Sequence, residues 1–444
     1  MSATSTINKL SETLNSPGTN AATWSDRIAD RFGCTLSEDL ADWFDSEVWR
    51  QLGSHEFREP VDASVLLEEA PEVIWPGLMP CDFLPVVGNS AGDWLCVRVD
   101  RAGHASEVVQ WYHGGGDWLP WGRSLSEAIV FDALVQLLPS PGRRHAIPAE
   151  QLPAAQREIR DPLLDWALGH LPSPVGRLLQ EASDGDKIAD TLLEHQIAEV
   201  AVRCELVQSA LKETLSATLD PATAQQLGVD WSEVVQWMFD TGRMPVETRQ
   251  RLERDYGLTI SKPQNWQAAR QHSQRVVELK PELAWAWDVL GYAAQRQDDS
   301  QSAIEAYQRA AECSVFTDQS VRLRTHWTAG QAAKFSASQL AECFPEVVQQ
   351  SSYLQLLCLP DGQGRRAQLT RFWLERADQM AEQGRWAEAH RQYVAAGWDL
   401  GAEPLEIYGR VLDRVVLAAN HAGQSARAEV ARTHRACLSQ RYGF

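Results

Sequence analysis

Features that commonly define a function are missing from this chain. Its eight cysteines are scattered without a CxxC pair, which fits neither a zinc site nor a disulfide framework. No stretch approaches the roughly 18 consecutive apolar residues of a membrane-spanning helix. The first residues lack the basic and apolar regions of a signal peptide. We therefore expect a cytoplasmic protein with reduced thiols and no membrane partner.

Positive charge is also scarce. The chain has 41 basic and 60 acidic residues, a formal net charge of −19. The imbalance is greatest between residues 37 and 72, which hold eleven carboxylates and only two arginines. Such a field repels phosphates and argues against binding to nucleic acid or to anionic membranes. The acidic stretch fits either plain solubility or a basic protein partner.

No set of residues combines a nucleophile, a base and an orienting group. Gly88–Gly92 has the G-x-S-x-G form of a hydrolase elbow, and His113–Gly116 resembles an esterase oxyanion loop. The elbow needs a helix directly after its serine, whereas Ser90 leads into a predicted strand. Neither His104 nor His113 has a second metal ligand at suitable spacing. We predict no enzyme activity, no cofactor and no metal; a hydrolase using Ser90 is the weaker alternative.

The N-terminal third has the pattern of a small antiparallel sheet. Strand-like stretches lie at 82–87, 93–100 and 106–113, and turn residues separate them. Within 93–100, Leu95, Val97 and Val99 share one face by the two-residue period. Ser124-Leu-Ser-Glu127 is a capping box that opens a helix running to about residue 138. We therefore predict an α+β domain over residues 20–140.

These motifs resemble the SUKH superfamily, also called the SMI/KNR or cell-wall-assembly-regulator family. The match runs through LMPCDFLPVVGNSAGDWLCVRVD, EVVQWYHGGGDW and SLSEAIVFDAL, and covers residues 22–140. Phe32–Phe44 is similar to the family's early helix, except that Leu36-Ser37 stands where a Leu-Pro pair is common. The resemblance implies an α+β protein-binding domain without catalytic residues. Family members include a fungal regulator of cell-wall synthesis and bacterial immunity proteins that neutralise toxins.

A proline-rich segment at 139–153 marks the first predicted domain boundary. Beyond it the apolar period changes from 2 to 3.6 residues and predicts helices over 186–217, 222–240 and 245–256. We assign residues 141–260 to a Pro-rich linker and helical segment, and residues 261–444 to an all-α domain.

An internal repeat appears in this last region. Its first unit begins at Trp287. The spacing of that unit recurs, with one substitution, at Trp373, Ala377, Ala389, Tyr393 and Ala396. Both sets resemble tetratricopeptide (TPR) helix pairs, in which small residues let two helices approach closely. The predicted packing residues of the first unit are Trp287, Leu290, Gly291, Ala303, Tyr307 and Ala310. Its concave face would present Trp285, Asp288 and Tyr292. An irregular helical bundle is the alternative.

The predicted partner surface combines the loop that ends at Trp121 with the acidic stretch before Trp75. Trp118 and Trp121 flank Pro120 beside three glycines, where exposed indoles would anchor a partner. The alternative is that both indoles close the hydrophobic core. The candidate residues are Trp111, His113, Asp117, Trp118, Trp121, Glu68, Glu69 and Glu72. We expect a non-catalytic immunity-type protein that neutralises a basic toxin; an intracellular regulatory scaffold that holds several partners is the alternative.

Overall fold

The computed structural model describes residues 22–138, 161–181, 185–216, 254, 266–318, 334–360, 362–398 and 405–443. A six-stranded sheet with helices forms the N-terminal part, and the rest of the described chain is helical. The predicted order, an α+β unit before an all-α region, is therefore confirmed. The Pro-rich segment 139–153 and, apart from residue 254, the helices predicted at 222–240 and 245–256 lie outside the described residues.

The sheet is mixed, so the prediction of a purely antiparallel sheet is wrong. Its strands are β1 Thr35–Leu36, β2 Glu59–Pro60, β3 Phe83–Gly88, β4 Trp94–Val99, β5 His104–Trp111 and β6 Trp118–Gly122. Their order is β1-β5-β4-β3-β2, and β6 also pairs with β5. The short strand β1 lies parallel to β5, where the backbone N–H of Thr35 donates to Gly103 O at 2.8 Å. The other pairs are antiparallel.

Helices cover this sheet. Those of the N-terminal part are α1 Trp24–Phe32, α2 Glu38–Asp45, α3 Ala63–Leu66 and α4 Leu125–Leu134. Every residue of β3 is buried, as expected for a strand that is covered on both faces. The predicted cap of α4 is half present. Ser124 Oγ accepts from Glu127 N–H at 3.3 Å, but the Glu127 carboxylate accepts from Arg123 N–H instead of closing the box on Ser124.

The remaining described chain forms a series of helices. They are α5 Pro162–Gly169, α6 Ser173–Glu181, α7 Gly185–Glu194, α8 Glu199–Ser216, α9 Trp266–Leu279, α10 Ala284–Arg296, α11 Ser300–Glu312, α12 Phe335–Cys343, α13 Pro345–Gln349, α14 Ser352–Leu357, α15 Gln363–Glu382, α16 Trp386–Trp398, α17 Leu405–His421 and α18 Ser425–Tyr442. The single helix predicted over 186–217 is wrong. It breaks between α7 and α8, where Gln196 and Ala198 have φ of 56° and 46°. Ala198 N–H donates to the buried Glu127 carboxylate at 3.1 Å, which fixes the bend against α4.

Three pairs of consecutive helices are joined by the same type of turn. Helices α10/α11, α15/α16 and α17/α18 are each joined by three residues. Such short connections make the two helices of a pair antiparallel neighbours. The central residue of each turn has a positive φ: 59° at Asp298, 73° at Gly384 and 71° at Gly423. The third pair shares the turn although no repeat was predicted there from the sequence.

Helices from beyond residue 160 contact the sheet unit directly. Near the start of α5, Asp161 accepts from the Ser54 backbone N–H at 2.6 Å. From α18, Arg427 binds Asp82 at 2.9 Å and His434 Nε2 lies 3.2 Å from Phe83 O. The sequence did not indicate these contacts. Independent folding of residues 20–140 stays a prediction.

Candidate functional site

The predicted tryptophan loop lies mostly inside the core. Trp111 and Trp121 are buried, and Trp118 is only 7% exposed. The expected exposure of Trp118 and Trp121 is therefore wrong, and the core alternative is correct. Pairing of β5 with β6 continues to Trp111 opposite Trp118, so the connecting hairpin is short and both strands stay within the sheet. Trp121 then packs edge-on against Phe131 of α4, with ring centroids 4.7 Å apart. Asp117 is buried as well.

Only the tip of this hairpin, at Tyr112 and His113, projects to solvent with large side chains. His113 Nδ1 lies 3.0 Å from Asp93 Oδ1, and the same oxygen accepts from the His113 backbone N–H. A Cβ on Gly92 would sit 3.4 Å from the imidazole ring, so the ring is held closely over that turn. Ser90 makes no hydrogen bond to His113, and the two residues with Asp93 do not form an assembled triad.

The acidic stretch before Trp75 is accessible. Glu68, Glu69 and Glu72 are exposed, and their carboxylates form no ion pair within the described part of the chain. The backbone beneath them is anchored, because Arg441 donates to Glu72 O at 2.8 Å.

Trp75 is the exposed indole beside these carboxylates. It is 41% exposed, and the Arg441 guanidinium lies 4.8 Å from its ring centroid. Sequence reasoning took Trp75 only as the end of the acidic stretch and placed the anchoring indoles at Trp118 and Trp121. The sequence marked Trp75 only by its position three residues after Glu72, at the end of the acidic stretch.

Gly291 lies where two helices approach closely. A Cβ at this position would lie 2.5 Å from Tyr307 Cε1, a distance that real Cβ atoms do not adopt. The other predicted packing residues are also in the interior, with Trp287 half-buried and the rest buried: Leu290, Ala303, Tyr307 and Ala310. The missing side chain at Gly291 thus makes room for the Tyr307 ring between α10 and α11.

The concave face expected on this first unit is not open. The three residues predicted to line it, Trp285, Asp288 and Tyr292, are all buried. Neighbouring helices cover the position: Trp266 of α9 and Phe335 of α12 lie with ring centroids 5.1 Å and 6.0 Å from that of Tyr292. A face that the repeat spacing alone would leave to solvent is therefore closed by helices outside the repeat.

A large opening lies instead between the sheet unit and the helix pairs. This interdomain cleft has a volume of about 920 Å³. It is bounded by the starts of β3, β5 and β6, the end of β4, and helices α11, α16, α17 and α18. Its apolar wall is formed by Phe83, Trp118, Phe316, Tyr408, Val411 and Val415. These residues are far apart in sequence, and no local motif marks them.

A network of ion pairs joins the two sides of the interdomain cleft. Arg98 of β4 binds Asp82 at 3.1 Å and Glu282 at 2.9 Å, and Arg427 of α18 binds the same Asp82 at 2.9 Å. Burial alone would raise the pKa of the Asp82 carboxyl. Arg98 and Arg427 outweigh burial and hold that pKa below its usual value. Asp82 is therefore charged at neutral pH and ties the sheet to both helical walls.

Other classes of site find no support among the described residues. No described helix is long and apolar enough to cross a bilayer. No cluster of three or more His, Cys, Asp or Glu side chains is placed to hold a metal ion in the described ranges. Comparison with known protein families, curated proteins and solved structures finds no match for this chain. Its function is inferred from its own residues.

Proposed function

We propose that this chain is a non-catalytic protein-binding protein of the SUKH type, an immunity protein that binds and neutralises a basic toxin. The observation that supports this proposal is the exposed acidic stretch between residues 37 and 72. Nine of the eleven carboxylates between residues 37 and 72 are exposed. Six of them have no hydrogen bond or ion pair from a described residue: Glu38, Glu56, Glu59, Glu68, Glu69 and Glu72. Exposed charge of one sign steers an oppositely charged partner and speeds its association.

Trp75 supplies the apolar contact that such a surface needs. Tryptophan is among the residues that most often contribute strongly to binding energy. Its stacking with Arg441 restrains the indole before a partner arrives, so less conformational entropy is lost on binding. Glu72 lies three positions away and brings a carboxylate close to this anchor. A basic partner with an apolar pocket fits this combination.

An intracellular scaffold with TPR-like repeats is the second candidate. The common three-residue turn of the helix pairs and the Gly291–Tyr307 packing favour a repeat of this kind. A stand-alone immunity domain does not need such pairs, and a scaffold would use them to hold several proteins. The two candidates differ in the number of partners. An immunity protein has one dominant, tightly bound and basic partner.

The test is charge reversal at the acidic stretch. The full chain is used to capture partners from its source cells, and the dominant partner is purified for kinetics. We expect Glu68→Lys/Glu69→Lys/Glu72→Lys to slow association about 10- to 100-fold at low salt, because rim charges act mainly on the association rate. Added salt should shrink the difference.

The matched control carries the same change in net charge elsewhere. Glu346, Glu375 and Glu382 are exposed on the helical region, and Glu346→Lys/Glu375→Lys/Glu382→Lys should associate at nearly the wild-type rate. Equal slowing in both triple variants would show only a general charge effect and remove the support for this surface. Capture of several weak partners of mixed charge would favour the scaffold.

A further inference from the structure

The interdomain cleft has the size and lining of a small-molecule site. Its volume of about 920 Å³ lies within the range of roughly 300–1,000 Å³ that is usual for ligand pockets. Such pockets occur preferentially where two structural units meet. Its lining combines the apolar residues named above with charged residues from both structural units. A site of this kind suits a ligand with one apolar and one polar end.

Some cations of the cleft form no ion pair with a described carboxylate. Three carboxylates of the cleft, Asp82, Glu107 and Glu282, are bound by Arg98, Arg427 and Lys280. The Asp100 carboxylate accepts backbone N–H groups of its own turn and lies 3.4 Å from His104 Nδ1. Arg309 and Glu312, near the end of α11, line the cleft without an ion pair to a described residue. Arg101 and Arg391 likewise form no ion pair with any described residue. Both are exposed to the opening.

These unpaired cations are close enough to affect each other. Partial burial lowers the pKa of Arg101 first, and the nearby charges of Arg391, Arg427 and Arg98 lower it further. The nearby charge of Glu282 acts in the opposite direction. The guanidinium groups of this cluster repel each other. An anion placed between them relieves the repulsion. This cluster of arginines contrasts with the net charge of −19 of the whole chain.

His390 is a second, independent indication of a ligand. It lines the cleft next to Arg391, is only 5% exposed, and makes no hydrogen bond within the described part of the chain. Buried polar side chains almost always have a partner. Burial, and then the charge of Arg427, lower the pKa of His390 to about 4. At neutral pH its uncharged ring therefore offers one N–H donor and one acceptor to the cleft.

We propose that the interdomain cleft binds an amphiphilic organic anion. Its carboxylate or phosphate group pairs with Arg101 and Arg391 and accepts the ring N–H of His390. Its apolar body lies along the wall formed by Trp118, Phe316 and Val411. Guanidinium groups match the planar or tetrahedral oxygens of such anions with two parallel hydrogen bonds. This site is separate from the acidic surface at Glu68–Trp75 and does not depend on the proposed toxin binding.

Calorimetric titration of the full chain tests the proposal. The probes are decanoate and decyl phosphate, with decanol as the uncharged control of equal chain length, all below micelle-forming concentrations. We expect at least one anion to bind about tenfold or more tightly than decanol, because hydrogen bonds to charged groups are the stronger ones. The tighter of the two anions assigns the head group.

Variants separate the site from general apolar adsorption. Arg101→Ala/Arg391→Ala should weaken anion binding about tenfold or more while decanol binding stays unchanged. Arg410→Ala removes an exposed arginine whose one ion pair among the described residues is with Glu406, and it should bind like the wild type. Because the three arginines are exposed, thermal unfolding should be close to wild type in each variant. Failure of both anions to bind, equal affinity for decanol, or full affinity in the double variant would overturn the proposal.

Discussion

Protonation of His434 alone is expected to lower the free energy of unfolding by about 2 to 3 kcal/mol when the pH falls from 7 to 4.5. This residue of α18 is completely buried, and its ring donates to Phe83 O at 3.2 Å. Burial lowers its pKa from 6.5 to about 4. A depressed pKa means that the folded chain resists protonation. The contribution is therefore fully present above pH 6.5 and is lost progressively as the pH falls toward 4.

Denaturant unfolding at the two pH values measures this effect. In His434→Leu the loss of stability between pH 7 and pH 4.5 should be about 2 to 3 kcal/mol smaller than in the wild type. The comparison uses only the change in unfolding free energy between the two pH values. A change in packing that shifts the stability of the variant equally at both pH values therefore does not affect it. His390→Leu should reduce the pH dependence in the same direction, since the pKa of His390 is also about 4. An unchanged pH dependence in His434→Leu would mean that α18 does not bury this ring against β3.

Gly291→Ala is expected to destabilise the chain by about 2 to 4 kcal/mol, an unusually large effect for one methyl group. The added Cβ would lie 2.5 Å from the Tyr307 ring. That ring cannot move aside at low cost, because it is fully buried and its hydroxyl donates to Gln295 Oε1 at 2.8 Å. Helices α10 and α11 must therefore separate. The melting midpoint should drop by several degrees.

Gly364→Ala is the matched control. Gly364 lies in the first turn of α15, and a Cβ there would meet nothing within 4 Å. We expect this variant to be neutral or stabilised by up to about 1 kcal/mol, because alanine favours a helix over glycine. Adding Tyr307→Leu to Gly291→Ala should recover part of the stability that Gly291→Ala loses. Similar melting midpoints for Gly291→Ala and Gly364→Ala would count against close packing of this helix pair.

Local patterns in the sequence predicted local structure well. Apolar stretches bounded by turn residues placed β3, β4 and β5 within two residues of their observed ends. The start of α4 at Ser124 followed from its capping residues. Gly291 was identified because repeat spacing put a residue without a side chain between two helices. In each case the physical cause, a period, a cap or a close approach, lies within about 20 consecutive residues.

Features that depend on distant residues were missed. Strand β1 has two residues and exists only through its pairing with β5, about 70 positions away. The bend between α7 and α8 is held by Glu127 across 71 positions, while the helical apolar pattern runs through it unbroken. Trp118 and Trp121 were taken as exposed because glycine and proline surround them, yet β6 is buried by α4. The interdomain cleft joins Asp82 to Arg427, which no sequence window contains.

Growth protection tests the proposed function most directly. The dominant captured partner is expressed in cells with the wild-type chain, with Trp75→Ala/Glu68→Lys/Glu69→Lys/Glu72→Lys, or with the control Glu346→Lys/Glu375→Lys/Glu382→Lys. If this chain is an immunity protein acting through the acidic surface, the partner alone stops growth. The wild type and the control restore growth, and the variant at Glu68–Trp75 does not. A harmless partner, or equal protection by all three chains, would contradict the account.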